Sequence, residues 1–293
     1  MSKRTAELLL ILSIVLRGSS LLFSKIALRT MGPNLLIGLR MLLAFIIVGF
    51  IFRKELAKTT REEVKYALLM SIFLFTSMFL ENVGLQTTAS SNTSFIENGV
   101  VIGIPLAACL IYRTLPSKET VVSVVFATIG MLFLSLKGTH ISFTSGEICI
   151  IACSLLYICF VLVTDVASKK CNAKVLGTLM LLFVGIFGIV AAFFTEGIRL
   201  PQSAAEYGAL FGLAIFCSAL GLTLQPIAQE HVEVSRAGLM NAVYPVTAAV
   251  LGVIFLHEHI SWSALVGCLL VMLAIAYPYI SKKYFGSKDV SNK

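Results

Sequence analysis

The sequence predicts an all-α integral membrane protein: ten transmembrane helices arranged as two inverted five-helix repeats. Three observations carry that prediction. Hydrophobic residues make up 58% of the 293 and charged residues only 13%, against about half and about a quarter in soluble domains. Ten continuous apolar runs of roughly 20 residues follow one another, each the length a helix needs to cross a hydrocarbon core. Basic residues then concentrate in every second connection, as they do on the cytoplasmic side of membrane proteins.

The runs lie at 8–28, 35–52, 66–86, 95–112, 119–136, 146–167, 176–194, 207–227, 237–256 and 262–280. Ten spans use about 200 residues and leave about 93 for termini and connections, too few for a separate soluble domain. Only helices and closed barrels satisfy their backbone in lipid. A barrel strand would alternate polar and apolar residues over about ten positions, and these runs do not alternate. The first run follows Lys3 and Arg4, as in a signal peptide, but stays apolar beyond Arg17 and ends in no small-residue cleavage pattern. It reads as an uncleaved first span.

Placing the N-terminus inside puts seventeen Lys and Arg on the cytoplasmic side and three (Arg29, Lys137 and Arg199) outside, with Arg17, Lys25 and Arg40 within spans. That bias predicts both termini in the cytoplasm of a cell membrane and requires an even number of spans. It also accounts for the net charge of +8, so no nucleic acid is expected as a partner. The seven cysteines form no CxxC pair and mostly fall in apolar runs, where Cys acts as a small hydrophobe.

Residues 80–100 can be set against 224–244 at an offset of 144, so that Glu81 faces Gln225 and Glu97 faces Asn241. A slightly smaller offset in the first half places Lys25 near Asp165 and Met41 near Met180. The correspondence lies in hydropathy, turn position and polar placement. It divides the chain into repeats at 1–138 and 144–284 and a cytoplasmic tail at 285–293. Five spans per repeat is odd, so the second repeat must be inverted, the architecture of many secondary transporters.

The stretches GSSLLFSKIAL (18–28), GLRMLLA (38–44), TTASSNTSFI (87–96) and YPVTAAVLGVIFLHEHIS (244–261) followed by Gly267 resemble the EamA-type members of the drug/metabolite transporter superfamily. The likeness covers nearly the whole chain as two tandem EamA repeats. It implies ten helices around a central cavity that exports or exchanges small organic solutes. Two positions depart from the pattern: Arg17 stands where a Trp is usual, and Thr114 where the second repeat has Glu258.

An ionisable group inside a span costs about 2.5–3.5 kcal/mol on insertion scales and so needs a reason to be there. Arg17 reads either as a fixed cation for a substrate carboxylate or phosphate, or as one half of an ion pair with Glu81 or Glu97. Arg40, near the outer third of the second span, reads as structural or gating. Glu81 and Glu97 flank the polar turn in the outer half of the membrane, as candidate proton-coupling groups or as hydrogen-bonded caps. Asn82, Asn98, Gln225 and Asn241, with Tyr157 and Tyr244, are candidates to line a substrate cavity, although amides also join helices in lipid. The GxxxG spacings Gly99–Gly103 and Gly208–Gly212 mark close helix approach.

No P-loop, GxSxG or HExxH occurs, so ATP-driven pumping and hydrolysis are unsupported. His257-Glu258-His259 places alternate residues on different helix faces. No metal and no cofactor are expected, and the chain is not expected to be an enzyme. The expected partners are a small-molecule organic solute and the lipid bilayer, and a homodimer is the oligomer to test for. The reading is a secondary-active transporter of small organic metabolites, amino acids or related solutes. Proton-coupled efflux of hydrophobic cations or drugs is the alternative.

Overall fold

The computed structural model describes residues 1–85, 96–97, 99–113, 116–135, 145–256 and 262–284, and among these every regular element is helical. The helices are α1 (Lys3–Gly18), α2 (Ser20–Ala27), α3 (Pro33–Ile51), α4 (Arg53–Leu56), α5 (Arg61–Leu85), α6 (Val100–Tyr112) and α7 (Lys118–Ser135). They continue with α8 (Ser145–Lys170), α9 (Ala173–Thr195), α10 (Ala204–Gly212), a π-helical segment (Leu213–Leu222), α11 (Thr223–Gln229), α12 (Val234–Met240), α13 (Val243–Leu256) and α14 (Trp262–Tyr284). Each of the ten apolar runs thus carries helix in its described part.

Among the described residues, five stretches are long and apolar enough to cross a bilayer: Pro33–Ile51, Arg61–Gly84, Ser145–Lys170, Ala173–Thr195 and Ala204–Gln229. Val100–Tyr112 and Leu265–Pro278 are shorter apolar helices. Large side chains such as Leu110, Phe194 and Trp262 stand about four-fifths exposed. In water that would be an aggregation liability; in lipid it is the outer surface of the protein.

Three runs are interrupted where continuous spans were expected, each for a local reason. The first breaks at Ser19, whose hydroxyl donates back to the Leu16 carbonyl at 2.7 Å, a bond that competes with the helix ladder. The eighth is π-helical from Leu213 to Leu222. It returns to α-helix as Pro226, lacking an N–H, leaves the Leu222 carbonyl without its usual donor. The ninth breaks between α12 and α13. Pro245 cannot donate to the Asn241 carbonyl, and Tyr244 N bonds it instead at 3.0 Å.

Helix starts follow their capping residues. Ser2 caps α1, Asn172 caps α9, and Ser203 with Glu206 forms a capping box on α10. Acidic side chains also cap across the fold. Glu196, just past α9, accepts from the backbone N–H groups of Asn34 and Leu35 at the start of α3, where the helix dipole favours an anion. Glu63 accepts from the N–H of Asn172, tying the start of α5 to the turn before α9.

In the packing, α3 runs along α9, α5 along α8 and α9, α1 along the π segment and α11, α6 against α12, and α7 against α14. The largest core sits among α3, α5, α8 and α9, around Met41, Met70, Phe160, Leu176 and Met180. Where α3 meets α9, two glycines touch: a Cβ on Gly38 would lie 2.7 Å from Ile189 N, and one on Gly188 2.6 Å from Gly38 N. Any side chain there would force the helices apart. Each GxxxG spacing has one glycine at a helix contact. A Cβ on Gly103 would meet the Ile158 side chain and one on Gly212 would lie 2.9 Å from Phe23, whereas Gly208 meets nothing within 4 Å and Gly99 only its own turn.

Candidate functional site

The polar residues of the spans gather inside the bundle in two neighbouring groups. In the first, Arg17 occupies the last turn of α1, just before the break at Ser19. Its Nη1 donates to the hydroxyl of Tyr157 on α8 and to Oε1 of Gln225 on α11, both at 2.8 Å. The guanidinium also lies over the Tyr157 ring, 5.4 Å from its centre. The Tyr157 hydroxyl passes the chain on, donating to Asn241 Oδ1 at 3.2 Å. Asn241 Nδ2 then donates to the Ala237 carbonyl at 2.9 Å.

The backbone makes room for this group. A Cβ on Gly221 would lie 2.9 Å from Arg17 Cγ, so the guanidinium stem needs a glycine on the π segment. Ser13 donates to the Gly221 carbonyl at 2.5 Å, occupying an acceptor in the widened helix. A π-helical stretch of this kind commonly marks a functional position.

The second group holds the acids. Ligand-capable atoms of Glu81 (α5), Glu97 (just before α6) and Cys153 (α8) all lie within 4.8 Å of one another. Ser77 holds Cys153, donating to its carbonyl at 3.0 Å with the two side chains 3.3 Å apart. Glu81 lies within electrostatic reach of both Arg40 and Arg17. Tyr244 shares a hydrogen bond with Ser20 and senses Glu81, Glu97 and Arg17, so it bridges the two groups. Among the described residues, several polar atoms here are buried with no hydrogen-bond partner: Arg40 Nε, Asn82 Nδ2 and Glu97 Oε1.

The structure therefore brings together Arg17, Tyr157, Gln225 and Asn241 in one hydrogen-bonded chain, sets Tyr244 beside it, and joins Glu81 to Glu97. Asn82 sits next to Glu81 in sequence but does not join the chain. Asn98, most of the polar turn at 87–96 and the His257-Glu258-His259 segment lie outside the described residues. The ion pair considered for Arg17 is replaced by bonds to two neutral side chains. Sequence reasoning placed Arg40 within a span but read it as structural or gating, and it missed Cys153 as a neighbour of the acids. The rule that singled out Arg17, a charge within a span, applies equally to Arg40. Two carboxylates and a thiol this close are a donor set that could ligate a divalent cation.

A buried constellation of charged and amide side chains within an apolar helical bundle is the mark of a membrane transporter. The family model for the EamA-like transporter family matches residues 4–136 and 144–279, and the chain belongs to that family, within the drug/metabolite transporter superfamily. It is similar to the uncharacterized transporter YetK of Bacillus subtilis (strain 168), 24% identical over 91% of this chain and 84% of that protein. An uncharacterized transporter of Archaeoglobus fulgidus is 25% identical over 92% of this chain and 84% of its own length. One crystal structure superposes with a TM-score of 0.82 at 15% identity, over 96% of this chain and 99% of that one. It shares the fold.

Proposed function

We propose that the chain is a secondary-active carrier in the cell membrane. It moves small organic metabolites, amino acids or related solutes, by alternating access of two inverted five-helix halves with both termini cytoplasmic. The observation that carries this reading is the interior polar chain, to which both halves contribute: Arg17 from the first, Tyr157, Gln225 and Asn241 from the second.

The packing supports the inversion. With residues 1–138 as one half and 144–284 as the other, exchanging the halves maps α3 on α9, α6 on α12 and α7 on α14 onto themselves. It turns the packing of α5 on α8 into that of α11 and the π segment on α1. A carrier built this way holds its solute between the halves and rocks one against the other. Arg17, through Tyr157 and the amides, positions the polar head of the solute. Glu81 and Glu97, two close carboxyl groups that titrate as a pair, take up the coupling proton. Efflux of a hydrophobic cation would need Arg17 neutralised by a carboxylate, and its bonds to Tyr157 and Gln225 speak against that.

Counterflow of radiolabelled amino acids and of lipophilic cations into proteoliposomes tests the reading. Uptake of an anionic or zwitterionic solute that Arg17→Gln abolishes is the expected result. Full uptake by Arg17→Gln would remove that positioning role, and counterflow of lipophilic cations alone would select the alternative.

A further inference from the structure

The interior holds two guanidiniums in unequal states. Arg17 is committed to Tyr157 and Gln225 and stacks on an aromatic ring. Arg40 is 9% exposed, and its Nε is buried without a hydrogen-bond partner among the described residues. It stands on α3 seven residues after Pro33, roughly 10 Å along the helix, and its electrostatic neighbours are Cys217, Glu81, Tyr244 and Arg17. No ion pair within 4 Å joins it to a described carboxylate. A guanidinium is always charged and presents five donors in a rigid fork. Burying it without acceptors is expensive, more so inside a bilayer, and nothing in the apolar packing of α3 requires a charge.

We infer that Arg40 is a free anion-binding subsite inside the bundle and takes the carboxylate of a monoanionic organic solute, while Arg17 is held as a fixed positioning cation. The class of anion follows from the surroundings. The planar fork matches a carboxylate in a bidentate pair. Glu81, among the electrostatic neighbours of Arg40, repels a second negative charge when ionised, which disfavours a phosphate dianion. The inference rests on the carrier reading and names the chemistry of its solute.

The test is thermal unfolding of the purified full chain in neutral detergent, titrated with propionate, propylammonium or inorganic phosphate at constant ionic strength. Propionate is expected to raise the unfolding midpoint saturably, with propylammonium inert and phosphate weaker. Arg40→Lys, which keeps the charge but loses the fork, should weaken half-saturation roughly tenfold to a hundredfold. Arg40→Met should abolish the shift and, without ligand, unfold no lower than the wild type, because it removes an unpaired buried charge. A propionate shift that survives in Arg40→Met would overturn the proposal. So would a wild type indifferent to propionate, phosphate acting as well as propionate, or an Arg40→Met protein less stable than wild type. A fourth arm in phosphatidylglycerol nanodiscs detects a lipid headgroup: stabilisation there through Arg40, with none by propionate, also overturns it. Counterflow on the same preparations keeps the two readings apart. Propionate binding through Arg40 without transport sinks the carrier and spares the subsite; transport without such binding does the reverse.

Discussion

The two polar groups inside the bundle lie side by side and differ in how far their hydrogen bonds are satisfied. Around Arg17, donors and acceptors run in sequence from guanidinium to phenol to amide to backbone carbonyl. Around Arg40 and the two acids, a guanidinium Nε, an amide nitrogen and a carboxylate oxygen are each buried without a partner. A completed network in a low-dielectric interior is rigid and specifies one arrangement, whereas unpaired buried groups are costly. On the proposed reading, the contrast makes one group a scaffold and leaves the other open for a solute and a proton. Arg17 then serves transport mainly by keeping Tyr157, Gln225 and Asn241 in register.

The comparison can be broken most directly at Arg17. Arg17→Met strands the Gln225 acceptor and removes one bond from Tyr157, so it should destabilise by about 1–3 kcal/mol. A lowered unfolding midpoint beside an unchanged or raised one for Arg40→Met is the expected outcome, and the reverse order would exchange the two roles. Tyr157→Phe comes next. It removes one acceptor and one donor at once, but Arg17 keeps Gln225 and Asn241 keeps Ala237, so a loss of about 1 kcal/mol is expected. A double-mutant cycle of Arg17→Met with Tyr157→Phe should show coupling; strict additivity would mean that the chain does not act as a unit.

Glu97→Gln should cost little stability, since its Oε1 has no partner to lose. It should uncouple solute movement from an imposed pH gradient in proteoliposomes while leaving counterflow intact. Retained proton-driven accumulation in that variant would clear Glu97 of the coupling role.

The smallest effect concerns a cysteine far from both groups. Cys171 lies in the short turn between α8 and α9. Burial, followed by the carboxylates of Glu62 and Glu63, holds its thiol above the ordinary cysteine range against the pull of Lys170. Only the thiolate reacts with maleimide, so labelling of a variant with Cys171 as its sole cysteine should rise at a higher pH than for a free thiol. Glu62→Gln should shift that onset to lower pH. Labelling restricted to the cytoplasmic face would also support the inside placement of this turn.

Much of the architecture was legible in the chain itself. Runs such as 35–52 and 176–194 are apolar without interruption, and burial in lipid leaves such a run no option but helix; α3 and α9 occupy them. Arg17, Gln225, Tyr157 and Asn241 could be picked out singly because polar groups inside spans are expensive. Their connection could not, because it joins residues up to 208 positions apart through side-chain directions that hydropathy does not encode. The kinks at Ser19 and at Asn241–Ala242 were missed for a related reason: side-chain and proline effects on single hydrogen bonds do not disturb the apolar pattern. The Gly38–Gly188 contact has no motif within either helix, since each glycine matters only through the partner it faces.

The amino-acid sequence by itself determined that the chain is helical, membrane-embedded and furnished with a few costly polar groups, because transfer from water to hydrocarbon acts residue by residue. Which of those groups satisfy one another was decided only by tertiary packing. Arg17 and Arg40 are the same residue in the same solvent, and the difference between a tied cation and a free one lies in whether neighbouring helices bring an acceptor within reach.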